Sequence, residues 1–102
     1  MVATHLLIVD LEEIACRVGV EGVQGISLAQ PVRDAIQSAS RKHTVGGRCR
    51  SIQCTPASAR SMVDYFNHAA SHFQLHGEYE KSTACAQAGE NIRRTLQLAN
   101  PK

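Results

Sequence analysis

The stretch "TPASARSMVDYFNHAASHFQLHGEYEKSTACAQAGENIRRTLQLANP", residues 55–101, carries the clearest structural signals in the chain. Thr55 followed by Pro56 is a strong start signal for a helix, because threonine caps free backbone N–H groups and proline needs no donor in the first turn. Gly77 supplies a left-handed stop. Between these points apolar residues recur at steps of four, three and four, which predicts one buried face. That face consists of Met62, Phe66, Ala69 and Phe73.

A second helix is predicted to follow from about residue 78 and to end at Asn100-Pro101. Its side chains within "ACAQAG" (84–89) are small, so another helix can approach its backbone closely. We therefore expect residues 56–98 to form an antiparallel helical hairpin. The second helix contributes an apolar face at steps of three, four, four and three, made of Cys85, Ala88, Ile92, Leu96 and Ala99.

The N-terminal segment permits two interpretations. Residues 4–18 fit a single helix, which we favour because one pattern then covers the whole segment. Alternatively, "THLLIVD" (4–10) is a short buried strand, and Asp10 caps a helix that follows it. The stripe on which the single helix depends is formed by Leu7, Leu11, Ile14 and Val18.

Three glycines between residues 19 and 25 predict a connection of about seven residues. A further helix is predicted over 27–43, with Ser27 as its cap and Pro31 in its first turn. After this helix, successive residues of "RCRSIQC" (48–54) alternate between two faces, which is typical of a short strand.

The whole chain, 1–102, is therefore expected to be a single, mainly helical domain: a compact bundle of about four helices with a C-terminal antiparallel hairpin. The alternative is an α+β domain in which 4–9 and 48–54 form a short two-stranded ribbon. Aromatic residues are scarce, at 4%, so the core must be built mostly from aliphatic side chains.

Composition excludes several classes of protein. Hydrophobic residues make up 43% of the chain and charged residues 20%, values typical of a globular domain and unlike a disordered one. No run approaches the length of a membrane-spanning helix. The apolar start is interrupted by Asp10, Glu12 and Glu13, which is unlike an export signal. We therefore expect a cytoplasmic protein whose four cysteines are free thiols.

Cysteine and histidine spacing suggests a metal site. Cys49, Cys54, His68 and His72 follow the pattern Cys-x4-Cys-x13-His-x3-His, which resembles a two-Cys two-His zinc finger. A helix that starts at Pro56 contradicts this site, because Cys54 would then lie roughly 20 Å from His68. We expect no cofactor, with zinc as the alternative only if the helix starts near Ser61.

The segment "RKHTVGGRCR" (41–50) predicts, as an alternative, a loop that binds nucleic acid or another anion. The net charge of only +2 and the absence of stacking aromatics disfavour it. No catalytic constellation is recognisable, so we expect no enzyme activity. The residues that would contact the anion are Arg41, Lys42, Arg48 and Arg50.

Two family resemblances concern the hairpin. "HGEYEKSTACAQA … LANP" resembles a tetratricopeptide unit, but it is about two turns longer than that repeat and no second copy exists. "ACAQAGENIRRTLQLA" resembles the small-residue helix of HEPN-type helical domains, whose Arg-x4–6-His motif is missing. Both resemblances imply helices, and neither transfers a functional residue.

These observations favour a small interaction or adaptor protein without chemistry of its own. Four short helices make a thin core, and pairing with a second copy would add buried surface, so we expect a homodimer. The predicted contact surface lies on the last helix, around Ala84, Ala88 and Ile92.

Overall fold

The computed structural model describes residues 6–42 and 51–99. The expected fold class is confirmed: these residues form four helices, and the last two pack closely as a hairpin. None of the described helices combines the length and apolar character that crossing a membrane requires. The elements in chain order are β1 (Leu7–Asp10), α1 (Glu13–Glu21), α2 (Gln30–Lys42), β2 (Ser51–Cys54), α3 (Pro56–Leu75) and α4 (Tyr79–Ala99).

β1 and β2 pair antiparallel as a two-stranded ribbon, with Leu7 opposite Cys54 and Val9 opposite Ile52. These four side chains are buried, whereas Ile8 on the other face of β1 is exposed. The favoured single helix over 4–18 is therefore wrong, and the ribbon considered as the alternative is present. The alternating burial of "LIVD" suits a strand with one covered face.

α1 and α2 are shorter than the predicted helices. The N-cap of α1 is Glu12, so Asp10 belongs to the strand and does not cap the helix. α2 begins at Gln30, so Ser27 is not at its cap position, although Pro31 does occupy the first turn as expected. α2 packs on α1 and β2, and α4 packs on α1 and β1.

The predicted boundaries of α3 are confirmed. Thr55 precedes it in an extended conformation, and its Oγ1 accepts a hydrogen bond from the Ser58 backbone N–H at 3.1 Å. At the other end Gly77 has a φ of 75°, a left-handed conformation that favours glycine. The N–H of Glu78 then donates to the Phe73 carbonyl at 2.8 Å, which closes the turn into α4.

Small residues allow α3 and α4 to approach closely. Cys85, Ala88 and Gly89 of α4 are buried in the hairpin. A Cβ atom added at Gly89 would lie 3.0 Å from Oδ1 of Asn67 and 3.8 Å from Cβ of Phe66. The backbone of α4 therefore lies almost directly on the side chains of α3, as the small residues of 84–89 predicted.

Two long-range hydrogen bonds attach the end of α1 to other helices. The Tyr65 hydroxyl of α3 donates to the Val18 carbonyl at 2.7 Å, and the Arg33 guanidinium of α2 donates to the Val20 carbonyl at 2.8 Å. Carbonyls in the last turn of a helix lack partners within the helix, and a cation near them also interacts favourably with the helix dipole. α1 is thus capped by side chains that join it to α2 and α3.

Tyr65→Phe should lower the free energy of unfolding by about 1 kcal/mol, since it removes the hydrogen bond but keeps the ring. The loss stays modest because the Val18 carbonyl also accepts the Gly22 N–H at 2.9 Å. Chemical denaturation followed by circular dichroism measures the change. Tyr79→Phe is the matched control, since that tyrosine is exposed, and it should leave stability unchanged. Equal stability of the two variants would contradict the role of Tyr65.

Candidate functional site

The structure does not bring the described members of the predicted zinc site together. α3 begins at Pro56, so the helix separates Cys54 from His68 along its length. Cys54 is buried in the ribbon, whereas His68 is exposed on α3. Cys49 lies outside the described residues. Within 6–42 and 51–99, no group of three or more His, Cys, Asp or Glu side chains is placed to hold a metal ion.

Two of the histidines do meet, at the end of α3. The imidazole rings of His72 and His76 have centroids 4.4 Å apart, and the His72 ring meets the edge of Phe73 at 5.3 Å. Lys81 of α4 lies over the Phe73 ring at 5.4 Å. The two histidines are one turn apart beside the C-terminus of α3, where positive charge is favoured by the helix dipole.

The cysteines differ from the expected set of four thiols. Cys16 in α1 is disulfide-bonded, so that expectation is wrong for this residue. Cys54 and Cys85 are free but buried. Burial raises the pKa of the Cys54 thiol, and it raises that of Cys85 to about 11 despite the opposing charge of Lys81. Both thiols are therefore protonated near neutral pH and are poor nucleophiles.

Cys54 and Cys85 should resist alkylation in the native protein at pH 8. Their reaction with iodoacetamide should be roughly a hundredfold slower than in guanidinium-denatured protein, because burial removes both access and thiolate. Mass spectrometry of the digested protein identifies the labelled sites. Cys16 should stay unlabelled in denaturant until a reductant is added. Fast labelling of either buried thiol in native protein would refute the assignment.

The predicted basic surface falls mostly outside the described residues. Arg41 and Lys42 form the C-terminal end of α2, and Arg48 and Arg50 precede β2 beyond the described ranges. Nucleic-acid or anion binding through these four residues therefore stays a prediction.

The arginines of α4 are paired within their own helix. Arg93 binds the Glu90 carboxylate at 2.6 Å, and Nε of Arg94 lies 3.6 Å from the same group. The hydrogen bond from Arg93, together with the positive charge of both arginines, lowers the pKa of Glu90 although the carboxylate is exposed. Arg94 has the weaker contact, and its side chain is 68% exposed.

The predicted contact surface on α4 needs correction. Ala88 and Ile92 are buried in the core of this chain, so neither is available to a partner. Their apolar stripe was identified correctly, but α3 and the rest of the core cover it. Ala84 is partly exposed.

An open groove of about 650 Å³ runs between the start of α1 and α4. Its lining includes the apolar side chains of Ile14 and Ala84 and the two carboxylates of Glu12 and Glu80. A second open groove, of about 440 Å³, lies along the adjacent side of α4, beside Gln74 and Tyr79. Thr83 and Gln87 line both grooves, so they form a ridge between them.

We call the exposed side of α4 along this ridge the outer α4 surface. Its large apolar residues stand at the two ends: Tyr79 is 66% exposed and Leu98 is 82% exposed. The surface is therefore apolar at its two ends and polar at its centre. The residues that define the surface are Tyr79, Glu80, Thr83, Ala84, Gln87, Asn91, Arg94 and Leu98.

No protein-family model, curated protein or solved structure matches this chain.

Sequence periodicity could not identify the outer α4 surface, because its members are mostly polar and follow no apolar pattern. A spacing signal was nevertheless present: Glu80, Gln87 and Arg94 recur every seven residues, which corresponds to about two helical turns. This signal becomes meaningful only once the opposite side of α4 is known to face α3.

Proposed function

We propose that this protein is a non-enzymatic interaction or adaptor protein that forms a homodimer through the outer α4 surface. The observation that carries the proposal is the ridge of Thr83 and Gln87 between two open grooves. A helix from another molecule fits such relief, because side chains on one helix pack into the grooves beside another. The role requires no cofactor.

The composition of the surface supports a protein partner. Ala84 is small enough to permit close approach, and Gln87 and Asn91 can each donate and accept hydrogen bonds. Exposed Tyr79 and Leu98 provide the apolar contacts that contribute most to association. The surface therefore offers both specificity and buried apolar area.

The sequence predicts a cytoplasmic location. The disulfide at Cys16 argues for an oxidising compartment instead, because cytosolic thiols are normally kept reduced. The proposed dimer does not depend on which compartment is correct, since the outer α4 surface contains no cysteine side chain.

Sedimentation equilibrium over a wide concentration range should show a reversible dimer for the unmodified chain. Gln87→Arg should raise the dimer dissociation constant at least about tenfold. The two introduced arginines would either face each other and repel, or displace the partner helix from the ridge. Gln37→Arg is the matched control: Gln37 is an exposed glutamine on α2, remote in sequence from the ridge. A chain that stays monomeric at every concentration would refute the proposal, as would equal effects of the two variants.

A further inference from the structure

We infer that the partner helix is α4 of a second copy, packed antiparallel about a twofold axis at Gln87. The inference rests on the proposed self-association and specifies its geometry. A twofold axis places residue 87 opposite itself and pairs residues at equal distances on either side. The seven-residue intervals then bring Glu80 of one copy opposite Arg94 of the other, twice in the dimer.

The charges on these two residues are available for such pairing. Glu80 is exposed and forms no ion pair with any described residue. Arg94 is the more loosely held of the two arginines near Glu90, because Arg93 already binds that carboxylate at 2.6 Å. Among the residues that the structure describes, the outer α4 surface therefore has an unpaired negative charge near one end and an available positive charge near the other.

The polar centre of the surface has the same symmetry. Thr83 and Asn91 are each four residues from Gln87, so an antiparallel partner places the hydroxyl of one opposite the amide of the other. Both groups can donate and accept a hydrogen bond. Gln87 would meet its own copy at the axis, where two amides can pair with each other.

The exposed apolar residues complete the match. Tyr79 lies eight residues before Gln87 and Leu98 eleven residues after it, or about 12 Å and 16 Å along the helix. In the antiparallel arrangement Leu98 of one copy therefore reaches within about one turn of Tyr79 of the other. Both exposed side chains lose contact with water at each end of the interface.

A parallel pairing in the same register is disfavoured. It would place Glu80 beside Glu80 and Arg94 beside Arg94, and like charges repel. It would also leave Tyr79 at one end and Leu98 at the other, with about 28 Å of helix between them. Charge and apolar surface thus favour the same antiparallel arrangement.

Charge exchange tests this geometry. Glu80→Arg should raise the dimer dissociation constant by about tenfold or more, because two attractive pairs become two repulsive ones. The double variant Glu80→Arg/Arg94→Glu should restore it to within about threefold of the unmodified chain. Glu78→Arg is the matched control, since Glu78 also stands at the start of α4 but pairs with Lys81 in its own chain at 3.1 Å. Circular dichroism verifies that each variant is folded.

The possible outcomes separate the two proposals. A monomeric unmodified chain refutes both. If the chain is a dimer but Glu80→Arg weakens it no more than Glu78→Arg does, or the double variant fails to recover, the antiparallel geometry is refuted and self-association stands. High salt should also reduce the difference in dimer dissociation constant between Glu80→Arg and the unmodified chain, because salt screens the charges.

A cysteine at the axis provides an independent measurement. Gln87→Cys should form a covalent dimer on mild oxidation, because the two sulfurs would face each other across the axis. Ala86→Cys lies about 100° around the helix and should cross-link far less. Non-reducing electrophoresis distinguishes the two. Equal cross-linking of both variants, or none at position 87, would overturn the placement of the axis.

Discussion

The fold depends on the packing of Phe66 between two glycines. Its Cβ atom lies 3.8 Å from the position a Cβ would take at Gly89 of α4, and its ring tip lies 3.7 Å from the corresponding position at Gly19 of α1. Phe66 is fully buried. One aromatic side chain of α3 thus lies close to a glycine in each of two helices, so it contributes to the packing of α3 against both.

The other long-range contacts add to this arrangement. Next to Phe66 in the chain, Tyr65 binds the end of α1 through its hydroxyl, and its ring meets that of Phe66 edge-on with centroids 5.3 Å apart. Ile36 of α2 also approaches Gly19, where an added Cβ would lie 2.8 Å from its Cδ1. The inner side of α4 is buried in this core, and its polar outer side remains exposed. The proposed interface follows from that division.

The hairpin was predictable because its signals are local. Thr55, Pro56 and Gly77 act within one turn of the residues they cap, and the apolar spacing identifies the buried face directly. The ribbon was harder to predict, because pairing Leu7 with Cys54 depends on residues 47 positions apart. Local periodicity therefore favoured a helix in the N-terminal segment, although pairing with a distant strand makes this segment a β-strand.

The candidate surface shows the same limit. The stripe containing Ala88 and Ile92 is apolar, but its sequence does not indicate whether it faces α3 or a second molecule. The outer surface carries polar residues whose arrangement has meaning only with respect to a symmetry axis. The disulfide at Cys16 was also beyond the spacing analysis, because composition gives no pairing and the predicted location favoured thiols.

The central claim is that Phe66 holds three helices together, and comparison of two conservative variants by equilibrium unfolding tests it most directly. Phe66→Leu should lower the free energy of unfolding by at least about 1 kcal/mol more than Phe73→Leu, because Phe73 lies near the hairpin turn and is slightly exposed, whereas Phe66 is fully buried beside Gly19 and Gly89. Native-state hydrogen exchange of Phe66→Leu should also show faster opening of α1. Equal losses of unfolding free energy in the two variants, together with unchanged hydrogen-exchange protection of α1, would contradict the account.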